Sequence, residues 1–172
     1  RTGKSTFIKK FMQELVLPQV TGAKKKRYTD ELPQAASGRT VMTTEPKFVP
    51  EEAAELKVKD AVARVRLIDC VGYPVEGATG FEENGVPRLV KTPWSEEEVS
   101  FNQAAEDGTR RVIRDHSTIG ILVTTDGSIT DLPRSAYEAA EERAQSELHA
   151  LGKPYVILLN CRVPADAEEL RA

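Results

Sequence analysis

The chain is poor in the residues that build metal clusters and disulfide scaffolds, with two cysteines and two histidines in 172 residues. Cys70 and Cys161 each follow an apolar run that reads as a buried strand. Reduced core thiols are therefore favoured over a structural disulfide, as in a cytosolic protein. His116 and His149 have no partner at metal-ligand spacing, which leaves them surface or helix-end roles. An excess of positive charge is also missing. With 24 Lys and Arg against 27 Asp and Glu the formal net charge is -3, which argues against a general nucleic-acid binder. No apolar run approaches the length of a membrane span, and there is no internal repeat or low-complexity tract. What is present is a hydrophobic fraction of 40%. That is enough for one domain with a real core and too little chain to argue for two, so a single domain over residues 1–172 is expected.

The chain opens on Arg1-Thr2-Gly3-Lys4-Ser5-Thr6, the second half of the phosphate-loop pattern G-x-x-x-x-G-K-[ST]. In such loops backbone N–H groups and a helix N-terminus point at phosphates, the lysine neutralises β/γ-phosphate charge and the following hydroxyl ligates Mg²⁺. Residues 1–6 are thus candidate nucleotide contacts, with Lys4 catalytic and Ser5 on the metal. The bland alternative is an ordinary helix start with a glycine boundary and a serine cap. On the phosphate-loop reading, the strand that feeds the loop and its first glycine are absent, and the domain is truncated.

Downstream, Phe7, Ile8, Phe11, Met12, Leu15 and Val16 predict a helix over 5–16, closed by Pro18. Residues 19–38 are polar, contain Lys24-Lys25-Lys26-Arg27 and read as a mobile surface loop. An extended segment over 40–49 follows, then a hairpin of 56–59 and 62–68 across Asp60-Ala61. Residues 72–100 form a long stretch without periodicity, of a length that is functional or disordered. A helix over 102–116, a buried strand over 119–125, a charged helix over 134–151 and a buried strand over 155–160 complete the chain. Alternation of strands and helices implies an α/β three-layer fold with a mostly parallel sheet, one antiparallel hairpin and no first strand.

Two further signals support nucleotide chemistry. Leu67-Ile68-Asp69-Cys70-Val71-Gly72 is an apolar strand running into D-x-x-G. There Asp69 would hold Mg²⁺ through water and the Gly72 N–H would meet a γ-phosphate, although a plain strand-to-turn boundary has the same pattern. Thr43 and Thr44 lie between the first helix and that strand, where switch-type nucleotidases complete the Mg²⁺ shell; the alternative is two β-formers in an edge strand.

The parts a GTPase needs are missing. Where N-K-x-D would read guanine, the chain has Asn160-Cys161-Arg162-Val163, so the carboxylate is gone and ATP is favoured over GTP. The water-orienting glutamine of small regulatory GTPases, expected directly after D-x-x-G, is replaced by Tyr73 and Pro74. Unaided hydrolysis is expected to be slow, with water held by backbone, by Thr43 or Thr44, or by a neighbouring molecule.

The segments Arg-Thr-Gly-Lys-Ser-Thr-Phe-Ile-Lys-Lys-Phe-Met from Arg1, Met-Thr-Thr-Glu-Pro-Lys-Phe-Val-Pro from Met42, Asp-Cys-Val-Gly-Tyr from Asp69, His-Ser-Thr-Ile-Gly from His116 and Thr-Thr-Asp-Gly from Thr124 resemble the N-terminal domain of the stage IV sporulation protein A family. These are the spore-coat morphogenetic ATPases. The resemblance implies a P-loop fold similar to translation-factor-type GTPases that binds ATP and Mg²⁺. It implies hydrolysis that drives self-association into a polymeric basement layer around the forespore. The implied location is the cytoplasmic, mother-cell side of the forespore outer membrane. The implied partners are a small amphipathic membrane-anchoring peptide, which makes membrane association peripheral, and other spore-coat proteins. Lys4 matches the family's phosphate-loop lysine, Ser5 its Mg²⁺ hydroxyl and Asp69 its Mg²⁺-side carboxylate. Thr43-Thr44 match the threonines that sense the γ-phosphate and support hydrolysis.

Weaker candidates remain. Arg1 could act as an internal arginine finger. Asp126-Gly127 reads as a turn with a second role open, and Glu141-Glu142-Arg143 reads as the wet face of its helix. Two other functional classes stay open: a regulatory GTPase of the translation-factor class, and a non-catalytic structural fragment.

Overall fold

In the computed structural model, residues 2–33, 44–83 and 85–164 are described. They form a mixed α/β structure that divides into two compact units, one of residues 4–33 and 46–70, the other of residues 2–3, 44–45 and 71–164.

In the first unit, the apolar stripe of the opening segment forms helix α1, Lys4–Phe11. It continues as a wider π turn, Met12–Val16, and a short 3-10 turn, Leu17–Gln19, which holds Pro18. Ile8, Met12, Val16 and Leu17 are buried against Val49, Ala54 and Leu56. Those three belong to strand β1, Lys47–Val58, which pairs antiparallel with β2, Ala61–Asp69. The expected hairpin is present, and its turn lies one residue earlier than the sequence suggests. Val58 faces Ala61 and Lys59 takes a left-handed φ of 53°.

The loop expected over 19–38 is instead helical at Gly22–Asp30, helix α2. One side chain accounts for the difference. Tyr28 has no exposed surface and packs in the α1–β1 core, with Lys24 Nζ and Arg27 Cζ each 5.6 Å from its ring centroid. Burial of a single aromatic, with cations on its face, outweighs the polar character of its neighbours. β1 bulges between Val49 and Ala54, and Pro50 within the bulge has no N–H for the ladder. The bulge attaches α2: the Glu51 N–H donates to Glu31 Oε2 at 2.9 Å, and Arg27 pairs with Glu52 at 2.7 Å. Farther along β1 the Gln19 side chain mimics a neighbouring strand. It accepts from the Lys57 N–H at 2.9 Å and donates to the Lys57 carbonyl at 3.1 Å, which covers part of an open strand edge.

In the second unit the segment expected to lack periodicity contains two short antiparallel pairs. β3, Glu82–Glu83, pairs with β4, Val86–Pro87, and β5, Leu89–Val90, pairs with β6, Val99–Ser100. Ser100 then caps helix α3, Phe101–Arg111, by accepting from the Gln103 N–H at 3.2 Å, as a serine N-cap does. A π turn, Val112–His116, extends α3. β7, Gly120–Thr125, and β8, Tyr155–Asn160, are parallel in continuous register, and α4, Ser135–Ala150, connects them. Tyr73, Ile113, Ala144 and Leu148 form the core here, with Leu122, Ala140 and Tyr155 against it. β8 was expected to be buried, yet Val156, Ile157 and Leu159 are 52%, 50% and 37% exposed. Among the described residues β8 pairs only with β7, and α4 lies over β7. Cys70 and Cys161 form no disulfide among the described residues and are half-buried rather than core.

Lys153 closes the end of the α3 extension. Its Nζ donates to the carbonyls of Ile113, Arg114 and Ser117 at 2.5, 2.9 and 2.6 Å. These acceptors are terminal helix carbonyls, where a cation is favoured. Lys153→Met keeps the aliphatic stem and removes all three bonds, so a loss of about 2–3 kcal/mol is expected. In a thermal melt this appears as a fall of about 5–10 °C in Tm.

Candidate nucleotide site

Lys4, Ser5 and Thr6 form the first turn of α1, with Lys4 and Ser5 half-buried and Thr6 exposed. No acidic residue lies in that turn, so no carboxylate of the turn itself offsets the positive end of the helix. α1 packs on β2, and β2 ends at the half-buried Asp69, opposite Lys47. The first unit thus carries the lysine and hydroxyl at the amino end of the helix that packs on the strand ending in the carboxylate.

The second unit carries Thr2, Gly3, Thr44, Gly72 and Asn160. Gly3 has φ +100°, a conformation that side chains rarely adopt, and an added Cβ would come within 2.5 Å of Asn160 Nδ2. That amide donates to the Thr2 carbonyl at 3.0 Å. Thr2 is 8% exposed, and its hydroxyl has no hydrogen-bond partner among the described residues. Asn160, which the sequence presents only as the remnant of a base-reading motif, therefore clasps the Thr2–Gly3 backbone. Thr44 is buried at 6% exposure. Arg1 and Thr43 lie outside the described residues, as does Met42.

Gly72 takes φ 87°, a turn at which the chain leaves D-x-x-G with Tyr73 directed inward. Tyr73 is 7% exposed and packs with Ile113, Ala144 and Leu148, and the Arg143 guanidinium lies 4.5 Å from its ring centroid. Burial, and after it the neighbouring Glu147, push its phenol above the ordinary range. Tyr73 is thus a protonated core residue and not a water-orienting group.

The ends of β7 and β8 are joined by a polar turn. Asp126 Oδ1 accepts from the Ser128 N–H at 2.9 Å and hydroxyl at 2.7 Å, and the Ser128 hydroxyl accepts from the Arg162 N–H at 2.9 Å. The Ser128 hydrogen bonds hold the Asp126 carboxyl below its ordinary range. This favours the turn reading of Asp126-Gly127, and Ser128 is a tie that the sequence did not indicate.

The wet-face reading of Glu141-Glu142-Arg143 holds only for Glu142, which is exposed. Glu141 receives a bidentate pair from Arg134 at 2.7 and 2.6 Å and accepts from the Thr124 hydroxyl. Arg143 pairs with Glu106 at 2.8 Å while covering Tyr73. Apart from Arg134, which lies at the amino end of α4 itself, these partners sit on β7, α3 and the D-x-x-G turn, so α4's charges face inward to neighbours as well as outward. His116 and His149 are exposed. Among the described residues no three His, Cys, Asp and Glu side chains are grouped to hold a metal ion, and no helix is long and apolar enough to cross a membrane.

Residues 1–172 match the family described as "Stage IV sporulation protein A, ATPase domain". The chain belongs to this family. Its relatives include the "Stage IV sporulation protein A" of Clostridioides difficile (strain 630), 56% identical over 170 residues that span 98% of this chain and 35% of the relative. The protein of that name from Bacillus subtilis (strain 168) is 54% identical over 170 residues, 98% of this chain and 35% of the relative. That from Bacillus anthracis is 52% identical over 175 residues, 99% and 36%. The chain therefore spans about a third of the length of the curated relatives it matches. No solved structure matches it. Membership in the stage IV sporulation protein A ATPase-domain family makes this an ATPase domain of sporulation proteins and implies a nucleotide-binding site.

Proposed function

We propose that the domain binds ATP with Mg²⁺ and hydrolyses it, and that hydrolysis drives self-assembly of a spore-coat basement layer. The observation that carries the nucleotide part is Gly3 at φ +100°, directly before Lys4-Ser5 at the amino end of α1. A backbone in that conformation turns into a helix terminus whose N–H groups face an anion.

In this reading Lys4 neutralises charge on the β- and γ-phosphates and the 2–6 backbone cradles them. Asn160 holds the loop's shape through its bond to the Thr2 carbonyl. Ser5 and Asp69 are hard oxygen donors, a set that suits Mg²⁺ completed by phosphate and water rather than by an all-protein cage. Mg²⁺, when bound, neutralises phosphate charge and acts as a Lewis acid. Thr44, with Thr43, answers the γ-phosphate, and the Gly72 N–H meets it. With Tyr73 committed to the core, water is positioned by backbone, by these threonines or by a neighbouring molecule. The proposed fold is a three-layer P-loop arrangement akin to translation-factor-type GTPases, in one domain. The proposed partners are further copies of the protein, an amphipathic anchoring peptide and other coat proteins, at the mother-cell face of the forespore membrane.

The test is Mg²⁺-dependent phosphate release from ATP and from GTP by the full-length protein, with Thr43→Ala/Thr44→Ala alongside. ATP is expected to be turned over at least about tenfold faster than GTP. The double variant is expected to retain ATP binding and lose about 10²-fold in turnover. A preference for GTP would instead support a regulatory GTPase, and no turnover of either a structural role.

A further inference from the structure

We infer that Gly108 of α3 and the ring of Trp94 form the seat of Thr44, and that this seat sets where Thr44 lies during turnover. The inference rests on the proposed role of Thr44 and adds the residues that position it. A Cβ at Gly108 would come within 3.2 Å of the Thr44 carbonyl oxygen and 3.5 Å of Trp94 Cζ2 and Cη2. A side chain there would press on the Thr44 carbonyl by a few tenths of an ångström, with the indole at ordinary contact distance beside it.

Gly108 is not needed there for backbone freedom. It lies inside α3 and its φ is not in the left-handed region, while glycine is a poorer helix former than alanine. A residue that weakens its own helix and is buried under a neighbouring backbone marks a close approach. The indole is kept in place by packing. Trp94 is half-buried, and the Arg111 guanidinium lies 5.5 Å from its ring centroid. Its Nε1 is buried without a hydrogen-bond partner among the described residues. Thr44 and the indole thus share the space above Gly108, and among the described residues no hydrogen bond ties the ring down. Trp94 is the single tryptophan of the chain, so its emission reports on the seat.

Gly108→Ala and Gly108→Ser in the full-length protein test this, each measured for ATP affinity, ATP turnover and Tm. Turnover is expected to fall about tenfold, because a small misplacement of a reacting group is enough to do so. ATP affinity is expected to stay within about twofold and the Tm of the alanine variant within about 4 °C, since the gain in helix propensity offsets the strain of shifting the Thr44 carbonyl. Trp94 emission, isolated by subtracting Trp94→Phe, is expected to change with a non-hydrolysable ATP analogue and not with ADP. Unchanged turnover in both Gly108 variants overturns the seat. So does a loss of turnover matched by a fall in ATP affinity or Tm beyond those ranges, which is ordinary structural damage. Thr44→Ala separates the two readings. Full turnover in that variant overturns the threonine role and the seat together, whereas an inactive Thr44→Ala beside an active Gly108→Ala overturns the seat alone.

Discussion

Lys4→Ala is expected to lower ATP turnover by about 10²–10³-fold, the usual cost of removing a preorganised electrostatic stabiliser from a reaction that develops charge on phosphate oxygens. Lys4 is half-buried in the first turn of α1, a turn without acidic residues. No carboxylate in that turn diverts its charge from an anion at the helix terminus. ATP affinity is expected to fall as well, since lysine attracts the bound phosphates before the transition state forms. Tm is expected to hold within about 2 °C, because an exchange of this kind away from core packing stays within about 0.5 kcal/mol. Phosphate release and a fluorescent ATP analogue measure the two losses, and a thermal melt shows that the fold survives. Turnover indifferent to Lys4 would remove the phosphate-loop reading.

Gly3→Ala is expected to cost both stability and nucleotide binding. Its φ of +100° is rarely adopted by a residue with a side chain, and forcing one there costs roughly 1–3 kcal/mol. The new Cβ would also stand 2.5 Å from Asn160 Nδ2. Asn160 has a side chain that can swing aside, so the clash itself is relieved cheaply. Relief, however, gives up the bond to the Thr2 carbonyl, about another 1 kcal/mol. The sum is a destabilisation of about 2–4 kcal/mol and a loop whose N–H groups no longer converge. ATP affinity is expected to drop by about tenfold or more. Asn160→Ala separates the contributions. Alone it should cost about 1 kcal/mol, and combined with Gly3→Ala it should cost less than the sum, because the clash has already been removed. Strict additivity in melts of the four proteins would show that the contact between Gly3 and Asn160 carries no energy.

Lys4-Ser5, Asp69 and Gly72 stand out in the sequence as candidates because each belongs to a short contiguous pattern whose chemistry depends on neighbours a few residues away. The existence of α1, the β1–β2 hairpin, α3, α4 and both parallel strands was legible for a similar reason, since local periodicity and turn residues mark them. Boundaries and burial were less so. The hairpin turn moved by one residue through a left-handed Lys59, and β8 carries exposed apolar residues although its sequence is that of a buried strand.

Other features depended on contacts that no local window contains. α2 exists because Tyr28 enters the α1–β1 core, which a run of lysines conceals. The charges of α4 turn inward because Thr124, Glu106 and Tyr73 lie opposite them. Asn160 meets Thr2 from 158 positions away, and Gly108 lies against the Thr44 carbonyl from a different part of the chain. By itself the sequence determined which groups are chemically able to bind a phosphate and a hard cation, because that ability resides in residue type and short spacing. Only the tertiary structure decided which side chains hold those groups in place. That depends on burial and on distances of about 3 Å between residues far apart in sequence, where a hydrogen bond or one methyl group changes the outcome.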